Sequence, residues 1–116
     1  MTMSEVIGEV NTRNPNAFTE ETKAKILCDL ESRILAEFKK EDIEVKFPED
    51  FTKTLFLPNR YSEVYILYVS AMIYFWNKEY DEYNNHVSLF SDLLNQFREE
   101  HGSKTPTERR TFYNLF

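Results

Sequence analysis

The sequence predicts a mainly α protein: a small helical bundle around a central antiparallel helical hairpin, with one short extended or β-hairpin segment. Three observations carry that prediction. Only 2 Gly and 4 Pro occur in 116 residues, so few positions interrupt a helix. Apolar residues recur at three- and four-residue spacing through most of the chain, as one face of a helix requires. Alternation of apolar and polar side chains is confined to residues 41–58.

Val6, Ile7 and Val10 share a helical face, so a short helix is expected over 3–10, ended by the polar run 11–16 around Pro15. Thr19 is placed to cap the next helix, because its hydroxyl can accept from a backbone N–H left without a partner in the first turn. Glu20 and Glu21 add negative charge at the positive end of the dipole. Ile26, Leu30, Ile34 and Phe38 then recur every four residues, widened by Leu27 and Leu35, which predicts a helix over 20–39 with Lys39 and Lys40 at its end. In residues 41–58, Ile43, Val45 and Phe47 alternate with Asp42, Glu44 and Lys46, and Leu55 and Leu57 flank Phe56. This reads as an extended segment or β-hairpin that must lean on the helices or on another subunit.

After Pro58 the most apolar stretch begins. Tyr61, Tyr65, Tyr68, Met72 and Phe75 form one face over 61–76, while Ile66, Leu67, Val69, Ile73 and Tyr74 occupy the others. A helix apolar on all sides needs burial on more than one side, and in so short a chain part of that cover is expected from a neighbouring chain. A break at Asn77 and Lys78 leads into a helix over 79–100 carrying Tyr80, Tyr83, Val87, Phe90, Leu94 and Phe97, antiparallel to its predecessor across the short connection. The candidate core is therefore Ile26, Leu30, Ile34, Phe38, Tyr61, Tyr65, Tyr68, Met72, Trp76, Tyr83, Phe90 and Phe97. Gly102 is suited to end the last long helix. Thr105-Pro106-Thr107-Glu108 matches a capping box with Pro at the first helical position, which predicts a short helix over 106–114.

The chain divides by charge into a body, residues 1–102, and an arm, residues 103–116. Lys104, Arg109 and Arg110 against the single acid Glu108 leave the arm at +2, so the remainder carries −8 of an overall −6. Arg109, Arg110, Phe112, Tyr113, Leu115 and Phe116 give the arm a basic, aromatic character suited to docking on another protein. The acidic balance argues against general nucleic-acid binding, which needs clustered Lys and Arg to displace counterions. No run of apolar residues approaches the roughly 20 that a bilayer span needs, and the first residues lack the basic-then-apolar order of a signal peptide, so synthesis in the cytoplasm and no membrane partner are expected.

Catalytic chemistry finds little to work with. Cys28 is the one cysteine, which rules out an internal disulfide, and it falls between core positions Leu27 and Leu30, where a small buried residue is the plain reading. Glu79, Glu82 and His86 lie at helical spacing that could present metal ligands, a spacing equally ordinary on a solvated face. Gly8 and Gly102 cannot build a phosphate-cradling loop. No carboxylate pair stands out, so neither enzymatic activity nor a cofactor is expected. The aromatics concentrated over 61–97 have few Lys or Arg among them, which points to core packing and a protein interface rather than a single-strand stacking platform.

Three phrases in order resemble the head–tail connector, or adaptor, proteins of long-tailed bacteriophages and prophages. The first runs from Asn16-Ala17-Phe18-Thr19-Glu20-Glu21-Thr22-Lys23 into Leu30-Glu31-Ser32-Arg33-Ile34. The second is Leu57-Pro58-Asn59-Arg60-Tyr61, and the third Glu82-Tyr83-Asn84-Asn85 ahead of Phe90 and Phe97. The resemblance covers residues 18–100; the segment before Phe18 matches little and the arm only loosely. It implies a structural subunit of the virion neck that forms a homo-oligomeric ring, commonly of twelve copies, below the portal protein. Such a ring extends the channel for passing duplex DNA and receives the next neck or tail-completion protein. An acidic body suits a conduit that duplex DNA must not stick to, and the arm is the expected contact with the portal. The alternative is a small cytosolic phage-encoded regulatory protein that binds one host protein through the same aromatic surface.

Overall fold

In the computed structural model, which describes residues 1–101, the chain runs through four α-helices: α1 (Met3–Arg13), α2 (Glu20–Phe38), α3 (Glu63–Trp76) and α4 (Tyr80–His101), with a 3-10 turn at Asn59–Tyr61. The mainly helical class is as the sequence predicts. Thr2 caps α1 through a full capping box with Glu5, and its Oγ1 accepts from the Glu5 N–H at 3.1 Å. Thr19 caps α2 by accepting from the Thr22 N–H at 3.1 Å. α2 stops at Phe38, one residue before the expected end, with Lys39 as its C-cap and Lys40 in the left-handed region at φ 56°.

α3 is the axis of the fold. Val64, Tyr65, Ile66, Tyr68, Val69, Ser70, Ala71 and Ile73 are buried, so its apolar surface is covered on nearly every side. The cover within the chain comes from α1, α2 and α4, all of which pack on it. From α1, Met3, Val6, Ile7 and Val10 present an apolar face to the core. α3 and α4 are joined by Asn77, Lys78 and Glu79, with Lys78 at φ 62°. Their ring contacts run Phe75–Tyr83, Tyr74–His86 and Tyr68–Phe90, the descending-against-ascending order of an antiparallel pair.

Residues 41–58 do not form the β-hairpin that their alternation allowed. The segment is irregular, and the isolated antiparallel bridge there pairs Thr54 with Thr2, not with a second strand of its own. The reason is where its backbone N–H groups go. Val45 donates to Ser32 Oγ at 3.0 Å, Phe56 to Glu31 Oε2 at 2.6 Å and Leu57 to Tyr65 Oη at 3.1 Å. Side chains of α2 and α3 take the donors that a strand ladder would have used. Leu55 and Leu57, 5% and 1% exposed, still turn inward and plug the core.

Of the candidate core, Leu30, Ile34, Tyr61, Tyr65, Tyr68, Phe90 and Phe97 are buried. Ile26, Phe38, Met72 and Trp76 pack half-buried against its edge, and Tyr83 is half-buried at the α3–α4 turn. The α2 discrepancy is geometric. Four residues at about 100° each overshoot one turn by about 40°, so a line through Ile26, Leu30, Ile34 and Phe38 winds around the helix. Its two ends leave the buried face, which is centred on Ala24, Leu27, Leu30, Glu31 and Ile34.

Candidate interaction surface

The interior holds polar chemistry that sequence reasoning missed. Glu31 lies at 4% exposure within the apolar stripe of α2. Its Oε1 accepts from the Tyr65 hydroxyl at 2.7 Å and its Oε2 from the Phe56 N–H at 2.6 Å, while the Tyr65 oxygen accepts from the Leu57 N–H. Burial pushes the Glu31 carboxyl above its ordinary range, opposed by the Tyr65 and Phe56 hydrogen bonds and by the amino terminus. Burial and the Glu31 charge together hold Tyr65 well above the usual phenol range, so the proton stays on tyrosine. The arrangement fastens residues 55–57 to α2 and α3. The available signal was a charge at a position that lies on one face with Leu27 and Ile34.

A cavity of ≈ 230 Å³ lies beside it, lined among others by Glu31, Leu35, Lys39, Lys53 and Phe56. Both Glu31 oxygens are already engaged, Lys53 pairs with Asp50 at 2.9 Å, and Lys39 lies over the Phe56 ring. A second buried charge is Arg98, 1% exposed, whose Nε and Nη2 donate to the two oxygens of Glu37 at 2.7 and 3.0 Å and whose Nη1 donates to Asn95 Oδ1. This two-pronged pair ties α4 to α2 next to an aromatic hub in which Phe38, Tyr61 and Phe56 surround Phe97.

Cys28 is buried, and its thiol is pushed up to about 11 by burial first and then by the charges of Asp50, Asp29, Glu31 and Glu49. A thiol held protonated is a poor nucleophile. Its sulfur sits 3.8 Å from that of Met3. His86 uses Nδ1 to donate to the backbone oxygen of Glu82 at 2.8 Å, and its ring packs on Tyr74. Among the described residues no group of three or more His, Cys, Asp or Glu is placed to hold a metal ion, and no helix is long and apolar enough to cross a membrane.

Among the described residues the exposed large apolar side chains are Ile43, Leu89 and two at the tip of the α3–α4 hairpin. Phe75 closes α3 at 44% exposure and Tyr80 opens α4 at 52%. Their ring centroids are 5.9 Å apart, and Phe75 also meets Tyr83 at 5.1 Å. Glu79, Asp81 and Glu82, all exposed, share a shallow depression with Tyr80 and Lys78. The tip is thus an aromatic patch in an acidic frame. Its field reaches inward as well: Tyr74 is held above the usual phenol range by burial first and then by Glu82 and Glu79.

The arm residues read from the sequence as protein contacts, Arg109, Arg110, Phe112, Tyr113, Leu115 and Phe116, and the helix expected over 106–114, lie outside the described residues. No protein-family model, curated protein or solved structure matches the chain.

Proposed function

We propose that this chain is a structural virion protein, a head–tail connector subunit that forms a ring below the portal protein, extends the DNA channel and joins head to tail. The observation that carries the reading is the order and spacing of three phrases that resemble that family, each of which begins at or near the start of a helix, the first continuing to Leu30–Ile34 in the middle of α2. Asn16 to Lys23 contains the Thr19 cap of α2. Leu57 to Tyr61 forms the buried plug and the 3-10 turn that lead into α3, and Glu82 to Asn85 lies in the first turns of α4. Phrases at helix starts set where the helices of the bundle begin, which gives their order along the chain a physical meaning.

Two features support the reading independently. The charged groups of the interior are engaged in holding elements together, as in a protein whose work is done by surfaces. The exposed aromatic tip offers such a surface, since Phe and Tyr supply large contact area with few rotatable bonds. The portal and the next neck or tail-completion protein are the proposed partners, and the virion neck the proposed location. The second reading, a cytosolic regulator of one host protein, uses the same tip. Native mass spectrometry of isolated portal rings mixed with the purified chain separates the two. The connector reading expects several copies added to each ring, and a portal mass unchanged by the chain would overturn it.

A further inference from the structure

We propose that the cavity between α2 and the irregular segment 41–58 is a binding site for a small organic carboxylate with an apolar body. The inference does not rest on the connector reading. Of the cavity's ≈ 230 Å³, the apolar walls come from Met3, Leu35, Leu55 and Phe56 on one hand and from Ile43 and Val45 on the other. Met3 and Leu55 are 0% and 5% exposed, so part of the lining belongs to the packed core. The backbone of the segment is fixed where it borders the cavity: the Val45 N–H donates to Ser32 Oγ at 3.0 Å, the Leu55 N–H to the Met1 carbonyl at 2.8 Å and the Phe56 N–H to Glu31. A concave apolar space with held walls and a few polar groups is the usual form of a small-molecule site.

The sign of the ligand follows from which polar groups are already engaged. Both lining carboxylates are in use. Glu31 accepts from Tyr65 and Phe56 through separate oxygens, and Asp50 accepts from Lys53 Nζ through Oδ1 and from the Lys46 N–H through Oδ2, at 2.9 Å each. Burial also favours the neutral form of Glu31, which lowers the negative charge facing the cavity. The lining cations are in surplus. Lys53 gives one donor to Asp50 and keeps the others. Lys39 lies over the Phe56 ring, 5.8 Å from its centroid, and makes no ion pair among the described residues. A ligand with acceptor oxygens and negative charge therefore meets donors that are open, whereas a cationic ligand has to share acceptors already taken.

Size sets the body of the ligand. An apolar cavity of about 150 Å³ holds a benzene ring. The ≈ 230 Å³ here accommodates such a ring and a short tail, with the carboxylate toward Lys39 where its ammonium and the Phe56 ring meet. An arylalkanoate satisfies the walls and the cations together; acetate satisfies the cations alone.

The test is an NMR titration of the full, methyl-labelled chain with phenylpropionate, beside phenylpropylamine and acetate as controls. Phenylpropionate is expected to shift the methyl signals of Leu35, Ile43, Val45 and Leu55 with half-saturation near ~1 mM, the affinity of about eleven non-hydrogen atoms at modest ligand efficiency. The amine and acetate are each expected to bind at least about tenfold more weakly. Lys39→Glu is expected to weaken phenylpropionate binding by at least about tenfold. Ile43→Trp places an indole at the cavity from a position 45% exposed, and is expected to abolish binding without loss of helical circular dichroism. The inference is overturned by cavity methyls that stay unshifted up to about 10 mM phenylpropionate, tenfold past the expected midpoint. Equal binding of the amine, or a folded Lys39→Glu chain that binds phenylpropionate like wild type, overturns it as well.

Discussion

Replacing Tyr65 by Phe deletes one oxygen from the centre of the protein and tests the reading of the Glu31 cluster. Two partners lose that oxygen: the Glu31 carboxylate, 2.7 Å away, and the Leu57 N–H, 3.1 Å away. A hydrogen bond to a charged group contributes about 1.5–3 kcal/mol, and a buried N–H left without an acceptor costs about 1–3 kcal/mol. Some relaxation is available beside the neighbouring cavity, so the variant is expected to lose about 3 kcal/mol. In urea, with a slope of roughly 1.5 kcal/mol/M for a small domain, that is a midpoint lower by about 2 M at unchanged slope.

The loss carries a pH signature. Glu31 has a folded-state pKa above its unfolded value, so between the two the folded chain binds more protons than the unfolded one. Its contribution to stability therefore falls as pH rises through that window and recovers on acidification toward about 4.5. Removing the Tyr65 donor raises the folded pKa further. The Tyr65→Phe deficit is then largest near neutral pH and shrinks as pH falls, and comparison with Glu31→Gln isolates this from Asp50 and Glu100, whose lowered pKa values act in the opposite direction. A loss below about 0.5 kcal/mol that does not vary with pH would show that the cluster does not fasten residues 55–57.

Other substitutions probe the remaining contacts. Phe90→Ala, at a fully buried site against Tyr68, is expected to cost about 4 kcal/mol in chemical denaturation, and a change near zero would misplace the α3–α4 seam. Glu37→Ala takes away the two carboxylate oxygens that accept from the buried Arg98 guanidinium and is expected to cost about 3 kcal/mol, whereas changing both residues to apolar ones of similar size is expected to cost less; equal losses would contradict the pairing. Glu63→Gln breaks an exposed pair with Arg13 and is expected to move stability by no more than about 0.5 kcal/mol. Cys28 is expected to resist a thiol reagent at pH 8 in the folded chain and to react at once in urea; rapid modification without denaturant would contradict its burial.

Local signals were the legible part of this fold. The Thr19 cap, the apolar period of α4 and the short 77–79 connection each rest on interactions within a few residues, and the structure places α2, α3 and α4 accordingly. The α1 capping box, Thr2 to Glu5, was equally local and shows that this segment carries a strong start signal. The failure at residues 41–58 is long-range: the acceptor that takes the Phe56 N–H is Glu31, 25 residues earlier, and alternation cannot reveal it. Burial on α3 was likewise hidden, because an apolar helix reads alike whether α1 or another chain covers it. Aromatic spacing also does not distinguish buried Tyr68 from exposed Tyr80, since both sit at helical period with apolar neighbours. Only the end of the hairpin, where α3 stops and the rings outrun their cover, makes the tip an outward surface.

The connector proposal meets its most direct test in the composition of virus particles. Particles, or induced prophage particles, are purified from the source, and this chain is quantified against the portal protein by mass spectrometry with labelled peptide standards. The account predicts copies of the chain near equal to those of the portal in every intact particle preparation. Intact, DNA-filled particles that contain portal and lack this chain would contradict it.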